Sequence, residues 1–351
     1  MESKLEIVDW KEDLVPVIES KPELIDYFVT KYNQTDIFDN FNELKYLDAK
    51  ASFNVDNVNS KFDKDKLNPV KESFDFLSTF SSSRNYANTT GTQIVTYANV
   101  LSTIMNTPFE INKEKRKWNL TARYCSNKIL LYSDNNQISA NKPENLYNTL
   151  LKKHFFIRKP QRYYRRIVSN FDNLCYEVYR FNLSDNSVIY LADNPGIMTE
   201  NTINNLDELK EAEHGICDVC VKDEISEDIM NYNPNTWSKA ALINAKHCIV
   251  GVYNKDNNNL EELTKFSSDL FNDKTKYENL WSPNAAWNFL DFFLTFVNIM
   301  ANKYANRNDM LLEFKSYPND KPYVSCESYR RYIDYRGIYA KCALTHEYMH
   351  R

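Results

Sequence analysis

The residues best suited to chemistry in this sequence form a basic and aromatic run from Lys152 to Arg166. The run holds seven Lys or Arg residues, no acid and four aromatics, namely Phe155, Phe156, Tyr163 and Tyr164. Cations contact phosphates and aromatic rings stack on bases, so this composition is typical of a track for single-stranded nucleic acid. The alternative is a solvated helix face whose aromatic side chains point inward. The cations expected to contact RNA are Arg158, Lys159, Arg162, Arg165 and Arg166.

A second constellation combines histidine and cysteine: His214, Cys217 and Cys220, with His247 and Cys248 downstream. A structural zinc site needs four soft ligands arranged as a tetrahedron, and two Cys-x-x-Cys pairs would indicate one clearly. This sequence offers one such pair. Cys217 and Cys220 lie three residues apart in a predicted strand, which sends their side chains to opposite faces. We therefore predict buried thiols in a core strand rather than a zinc site.

Composition limits the classes of protein that remain. The chain has 351 residues, 42% of them hydrophobic, with 20 Phe, 24 Tyr and 5 Trp, which is ample for a buried core. Only 5 glycines occur, so the glycine-rich loops that hold nucleotide phosphates are excluded. The net charge of −5 gives no overall attraction to nucleic acid, so binding requires a local patch such as Lys152–Arg166.

Neither export nor membrane insertion is predicted. No window approaches the roughly 18 consecutive apolar residues of a membrane-spanning helix. The N-terminal segment is acidic from its second residue and lacks the basic and apolar regions of a signal peptide. The seven cysteines are accordingly expected to be reduced thiols. We expect a protein of the cytoplasm, the nucleus or both, not secreted and without a membrane partner.

The spacing of apolar residues predicts strands interleaved with helices. Helices are expected at residues 94–105, 237–245 and 284–303. Strands are expected at residues 118–124, 128–132, 176–183, 187–192, 216–221, 247–253, 310–315 and 323–326. The first two of these strands are expected to form one hairpin, and the next two a second hairpin. Ser282 suits the N-cap of the last helix and Pro283 its first position, while residues 254–280 form a polar excursion. Without repeats or a linker-like change in composition, one α/β domain of mixed β-sheets flanked by helices is favoured.

The segment Trp281–Phe296 resembles the C-terminal helix of the DXO family, the decapping and exoribonuclease proteins that act on RNA 5′ ends. Thr96-Tyr97 followed by Thr107–Glu110 is similar to the family's helix and its Thr-Pro-Tyr-Glu-like turn. Trp118-Asn119-Leu120 resembles the strand that comes next. Trp237-Ser238-Lys239 with Cys248–Tyr253 is similar to the family's helix–strand unit.

This resemblance covers about residues 90–320 and implies a DXO-like single domain. Residues 91–351 would form the nuclease-type α/β core. Residues 1–90, which match no family element, would form a divergent N-terminal part packed on the same domain.

The resemblance also implies a chemistry and a set of site residues. Family members hold divalent metal with several carboxylates beside a lysine and transfer a phosphoryl group to water. The family's Glu-x-Asp falls on Asp193-Asn194-Pro195, which retains one carboxylate. Its Glu-x-Lys falls on Cys220-Val221-Lys222, which retains the catalytic lysine as Lys222. Asp218 can substitute for the missing Glu, since it lies on the same face of the predicted strand as Cys220.

Two further positions depart from the family pattern. Its Arg after Thr-aromatic is Ala98 here, and the Glu of its Gly-aromatic-Lys-aromatic-Glu motif falls on Arg158. A site with one or two acids and an added cation should bind Mg²⁺ or Mn²⁺ poorly, whereas Arg158 can pair with an RNA phosphate. The leading hypothesis is a DXO-like protein that binds RNA 5′ ends, with weak or lost metal-dependent hydrolysis.

Two alternatives stay open. The first is an active decapping nuclease or 5′→3′ exoribonuclease, in which Asp193 and Asp218 hold Mg²⁺ or Mn²⁺ and Lys222 is catalytic. The second is a protein–protein adaptor that keeps the fold as a scaffold, since fold does not determine function. Some family members activate an exoribonuclease, so an exoribonuclease or another protein is also a candidate partner.

Overall fold

The computed structural model describes residues 3–6, 21–31, 37–48, 51–59, 74–84, 86, 93–109, 117–125, 128–133, 143–157, 173–184, 186–193, 196–221, 233–257, 259–268, 281–303, 310–317, 323–333 and 339–343. The strands within these ranges are β1 (Ser3–Glu6), β2 (Glu23–Lys31), β3 (Ile37–Phe38), β4 (Tyr46–Leu47), β5 (Gln93–Tyr97), β6 (Asn119–Cys125), β7 (Lys128–Tyr132), β8 (Phe156–Ile157), β9 (Asn173–Leu183), β10 (Asn186–Asp193), β11 (Gly196–Met198), β12 (Glu213–Val221), β13 (His247–Asn254), β14 (Asn259–Ser267), β15 (Met310–Tyr317), β16 (Tyr323–Ile333) and β17 (Tyr339–Ala343). The helices are α1 (Val55–Asn59), α2 (Phe74–Ser83), α3 (Ala98–Asn106), α4 (Pro143–Phe155), α5 (Leu206–Glu211), α6 (Pro234–Leu242) and α7 (Pro283–Lys303).

The described strands form two sheets. The larger sheet has 11 strands in the order β1-β16-β15-β6-β7-β5-β10-β9-β2-β3, with β17 paired to β16. The smaller sheet has 6 strands in the order β14-β13-β12-β11-β4-β8. Residues of both sheets and of α3, α6 and α7 share one hydrophobic core. The predicted fold class, mixed sheets flanked by helices in one domain, is confirmed.

The helix predicted over residues 94–105 is wrong at its N-terminal end, where the structure has strand β5. Residues Gln93–Tyr97 form a fully buried strand that runs parallel to both β7 and β10, and the helix begins at Ala98. A strand covered on both faces is a continuous apolar run, and this run cannot be distinguished from a buried helix by spacing. The β-branched residues Ile94, Val95 and Thr96 favour the strand.

Both predicted hairpins are confirmed. Strands β6 and β7 pair antiparallel, as do β9 and β10. The second turn places Ser184 at a φ of 46°, a left-handed backbone that a tight reversal requires. After this hairpin the chain passes directly from β10 of the larger sheet to β11 of the smaller sheet, so the end of β10 lies close to the smaller sheet.

The segment predicted as a polar excursion contains a strand, β14, which corrects that part of the prediction. β14 pairs antiparallel with β13 at the edge of the smaller sheet. Most of its side chains are exposed or half-buried, with Leu260 and Phe266 as the buried exceptions. An edge strand that faces solvent carries polar residues, and its sequence therefore resembles a loop.

Helix α7 matches its prediction because its signals are local. Ser282 accepts a hydrogen bond from the backbone N–H of Ala285 at 3.4 Å, and Pro283 occupies the first helical position. Its inward face contributes Trp287, whose ring contacts that of Trp237 on α6. Among the described residues, no helix is both long and apolar enough to cross a membrane.

The unit that organises the candidate site is β12–α6–β13. Strands β12 and β13 are parallel, and parallel neighbours need a crossover connection, here helix α6. Helix α6 begins after Asn233, whose side chain accepts the N–H of Asn235, and has Pro234 in its first turn. It packs on one face of β12, while α4 packs on the other through Leu151, which shares a cluster with Cys217.

Candidate functional site

Asp218 is a buried carboxylate on β12 with both oxygens engaged. Its side chain is 2% exposed. Lys239 donates from Nζ to Oδ1 at 2.6 Å, and Thr236 donates from Oγ1 to Oδ2 at 2.7 Å. Thr236 and Lys239 lie three residues apart on α6 and so share the helix face that meets β12. The carboxylate is therefore neutralised within the β12–α6–β13 unit.

Asp193 ends β10 and is paired with a different lysine. Lys152, in the last turn of α4, places Nζ 3.2 Å from Oδ2 of Asp193, and both side chains are 24% exposed. The other oxygen, Oδ1, is buried and has no hydrogen-bond partner among the residues that the structure describes. Each of the two predicted metal carboxylates thus has its own ammonium partner.

The ammonium partners come from helices on opposite faces of β12. Lys152 belongs to α4, on the Cys217 face, and Lys239 belongs to α6, on the Asp218 face. Within the described ranges, no three His, Cys, Asp or Glu side chains are grouped so that they could hold a metal ion. Mg²⁺ and Mn²⁺ need several free oxygen ligands. The described residues do not fit such an ion, since three of the four carboxylate oxygens already accept hydrogen bonds.

Most of the other predicted site residues lie outside the described ranges. These are the predicted catalytic lysine and the five predicted RNA-contacting cations, namely Lys222, Arg158, Lys159, Arg162, Arg165 and Arg166. Asp218 and Cys220 do share a face of β12, as predicted, because both side chains reach Thr236: the Cys220 Sγ–Thr236 Oγ1 distance is 3.9 Å.

The aromatic part of the basic run requires a correction. Phe155 is fully buried and Phe156 is 5% exposed. The Phe155 ring contacts that of Phe53 at a centroid distance of 4.9 Å, and Phe156 packs directly against Gly196. These two rings belong to the core and cannot stack on bases, because Phe155 at the end of α4 and Phe156 at the start of β8 both point inward. Tyr163 and Tyr164 lie outside the described ranges.

The histidines and cysteines of the second constellation do not converge. Cys217 and Cys220 are buried and face different clusters, as their spacing predicted. Burial raises the pKa of Cys220 and that of Cys248 to about 12, so both are neutral thiols at neutral pH. His247 contacts the exposed Glu213 instead. The interpretation as buried thiols is confirmed.

A buried polar network that the sequence analysis missed joins the two sheets. His214 on β12 donates from Nε2 to Oε1 of Glu177 on β9 at 3.2 Å, and Tyr179 donates to Oε2 at 2.6 Å. Burial alone would lower the pKa of His214, but the charge of Glu177 and the hydrogen bond to it raise the pKa above its usual value. The signal in the sequence was Glu177 itself, an acid between the apolar pairs Cys175-Tyr176 and Val178-Tyr179.

Lys152 and Lys239 were also missed as site residues. In the sequence, Lys152 is part of the basic run, and Lys239 is part of a helix that resembles one in the DXO family. The residues around each lysine did not indicate a carboxylate partner. The available signal was Lys239 in the helix predicted over residues 237–245, with Thr236 three residues before it in the sequence. Their partner on β12 becomes evident only when α6 crosses back over that strand.

Solved structures share this fold at low sequence identity. A mutant Rai1 from S. pombe in complex with 3′-FADP is 13% identical, with a TM-score of 0.67 over 93% of this chain and 99% of that chain. Candida albicans Rai1 in complex with pU5-Mn²⁺ is 11% identical, with a TM-score of 0.62 over 93% and 92%. K. lactis Dxo1 in complex with manganese is 13% identical, with a TM-score of 0.56 over 92% and 94%.

No curated protein sequence matches the chain. A family model does: the RAI1 like PD-(D/E)XK nuclease model matches residues 20–336. That match spans most of the chain and includes strands β2, β3 and β4, which lie before residues 90–320, the region of the DXO resemblance. The resemblance to the DXO family is confirmed, and the chain belongs to the family of RAI1-like PD-(D/E)XK nucleases.

Proposed function

We propose that this protein binds RNA 5′ ends and hydrolyses them weakly or not at all. The observation that carries the proposal is the pairing of Asp193 with Lys152 and of Asp218 with Lys239. Family membership supports RNA as the ligand, as does the C. albicans Rai1 complex with pU5 and Mn²⁺. The binding partner is then a 5′-terminal RNA segment.

The ion pairs argue against metal-dependent chemistry for a simple electrostatic reason. A divalent cation that approached Asp218 would have to displace an ammonium held at 2.6 Å, and until then the two cations would repel each other. Hydrolysis in this family requires metal to activate water and stabilise the leaving oxygen. The described residues of this chain instead neutralise the carboxylates internally, which favours binding without cleavage.

The predicted RNA-contacting cations complete the proposal. Arg158, at the position of a family Glu, would contact a phosphate, and Lys159, Arg162, Arg165 and Arg166 would follow the strand. Because Phe155 and Phe156 are buried, binding would rest on phosphate contacts more than on stacking by these two rings. Such binding weakens steeply with salt.

The test is incubation of the purified protein with 5′-labelled capped, triphosphate and monophosphate RNAs, in Mn²⁺ or in EDTA. Native gels report binding and denaturing gels report cleavage. We expect shifted but intact RNA under both conditions. If neither a shift nor a product is observed, RNA binding is contradicted and the protein–protein adaptor is the hypothesis that remains.

One observation favours the second candidate, an active decapping nuclease or 5′→3′ exoribonuclease that uses Asp193, Asp218 and Lys222 with Mg²⁺ or Mn²⁺. Oδ1 of Asp193 is buried without a hydrogen-bond partner among the described residues, and a metal ion would satisfy it. Metal-dependent products that disappear in Asp193→Ala would establish this candidate. A protein partner such as an exoribonuclease remains a separate proposal, testable by pull-down with the purified protein.

A further inference from the structure

A row of polar side chains crosses one end of the larger sheet, on the face covered by α2. Lys128 begins β7 and is paired with Gln93, which begins β5. On its other side Gln93 is paired with Ser187 of β10, which lies opposite Asn182 of β9. Paired residues on adjacent strands point to the same face, and the strands are about 4.8 Å apart. The register therefore brings the four side chains together.

The two central members of this row are buried polar residues. Gln93 is 5% exposed and Ser187 is 6% exposed. Nε2 of Gln93 and Oγ of Ser187 form no hydrogen bond with any residue that the structure describes. Leaving a buried polar group unsatisfied is costly, and native proteins satisfy nearly all of them. The two groups thus mark a position where the oxygen atoms of a ligand can be accepted.

Lys128 adds a positive charge to the row. Its side chain is half-buried, and Nζ donates to the carbonyl oxygen of Ser81, near the end of α2, at 2.7 Å. Within the described ranges no Asp or Glu forms an ion pair with it, and burial lowers the pKa of Lys128. A buried charge is normally paired. Because an ammonium group has three donors, Lys128 retains two for an anion.

The row lies at the rim of the sheet and away from the candidate site. The β6–β7 and β9–β10 hairpins both turn at this end. Asn182, at one end of the row, is exposed, and Lys128, at the other end, is half-buried, so the row can be reached from solvent beyond the turns. Ser187 precedes Asp193 by six positions on β10, which is about 20 Å along a strand.

We propose that Lys128, Gln93 and Ser187 form a binding site for an oxyanion such as a phosphate group. Lys128 supplies the charge, and the Gln93 amide and the Ser187 hydroxyl donate hydrogen bonds. A phosphate offers several acceptor oxygens together with negative charge, which suits one cation beside two neutral donors. The group can be free phosphate or a phosphate of RNA. The site requires no metal and does not depend on the function proposed above.

The test compares the melting temperature of the full chain in sodium phosphate and in sodium chloride, at pH 7 and equal ionic strength. An anion that binds only the folded chain raises the melting temperature. Phosphate also stabilises proteins by exclusion from their surface, so the measured quantity is the difference in this rise between the native chain and its variants. We expect a difference of about 2–4 °C at roughly 50 mM phosphate.

The variants separate the site from the rest of the surface. Lys128→Met should lose the specific part of the rise, whereas Lys128→Arg keeps the charge and should retain most of it. Ser187→Ala removes a buried hydroxyl without a partner, so in chloride it should be about as stable as the native chain and yet gain less from phosphate. Lys246→Met is the matched control, because Lys246 is exposed and already paired with Glu213.

Pentauridylate with a 5′-hydroxyl distinguishes the two sources of phosphate. If it stabilises the native chain more than Lys128→Met, the phosphate belongs to RNA. If only inorganic phosphate does so, the ligand is a free oxyanion.

A rise in phosphate that is equal in the native chain, Lys128→Met and Ser187→Ala would overturn the site, as would a loss of equal size in Lys246→Met. If Lys128→Met does not melt cooperatively, Ser187→Ala and Gln93→Leu decide the question in the same way. A full rise in both of these variants would then overturn the proposal.

Discussion

His214 on strand β12 and Glu177 on strand β9 join the two sheets through a contact of 3.2 Å between Nε2 and Oε1. The two residues are 37 positions apart in the chain, and both are almost fully buried. With the Tyr179 hydroxyl on the other oxygen of Glu177, the contact satisfies an acid that would otherwise be isolated in the core. Such a network makes a pH-dependent contribution to stability.

The sign of that dependence follows from the raised pKa of His214. A histidine whose pKa is higher in the folded than in the unfolded chain stabilises the fold fully below its unfolded pKa of about 6.5. This contribution is lost as pH rises through the folded value. We expect the difference in melting temperature between the native chain and His214→Gln to be largest near about pH 5.5 and to shrink above about pH 7.

Melting curves by circular dichroism between these pH values check this prediction. His247→Gln is the matched control, because His247 contacts a carboxylate, Glu213, that is 45% exposed and therefore screened by solvent. A difference for His214→Gln that grows with rising pH would contradict the direction of the pKa shift.

The ion pair of Lys239 and Asp218 should contribute to the stability of the fold. Lys239→Met removes the cation from a carboxylate that is 2% exposed, and breaking a buried pair from one side costs about 3–5 kcal/mol. The double variant Asp218→Asn/Lys239→Met removes both charges and should lose clearly less. Urea unfolding at pH 7 measures both free energies. Equal losses in the single and double variants would mean that the charge pair is not the source of the effect.

Gly196 should not tolerate a side chain. A Cβ at this first residue of β11 would overlap the Phe156 ring, which is buried and cannot move away. Gly196→Ala should therefore destabilise the fold by about 1–3 kcal/mol, the usual cost of overpacking.

Gly251→Ala is the control for that change. Its Cβ would meet the methyl ends of Leu260 and Leu151 at 3.0 and 3.1 Å, which can shift by rotation about flexible bonds. We expect a smaller loss in urea unfolding than for Gly196→Ala. The reverse order would indicate that the Phe156 ring is free to move.

The basic run should contribute to RNA affinity through charge. Arg158→Ala combined with Arg162→Ala should weaken binding and reduce the slope of log affinity against log salt by about 1.4, since each phosphate contact on a single strand contributes about 0.7. Anisotropy titrations at several salt concentrations measure this slope. Lys246→Ala with Lys265→Ala removes two exposed charges elsewhere and should leave the slope close to its original value. An unchanged slope in the arginine variant would remove the run from the proposed binding surface.

Prediction from sequence succeeded where the signals were local. Helix α7 was predicted at residues 284–303 and extends over Pro283–Lys303, because its cap, its proline and its apolar spacing are all within the segment. The hairpins were predicted for the same reason. Strand β5 was predicted as a helix since a buried apolar run satisfies both periodicities, and its two parallel neighbours come from distant parts of the chain.

The candidate site likewise has some features that the sequence predicts and others that only the packing decides. The resemblance to the DXO family indicated the fold, and the assignment of Asp193 and Asp218 as the retained acids stays a prediction from that resemblance. By itself the sequence determined the opposite faces of Cys217 and Cys220, because these follow from spacing within one strand. It did not determine the partners of the acids. The Lys239 contact spans 21 residues and the Lys152 contact spans 41. Which charge meets which carboxylate depends on how α6 and α4 lie over β12, and only the packing of helices against the sheet decides that.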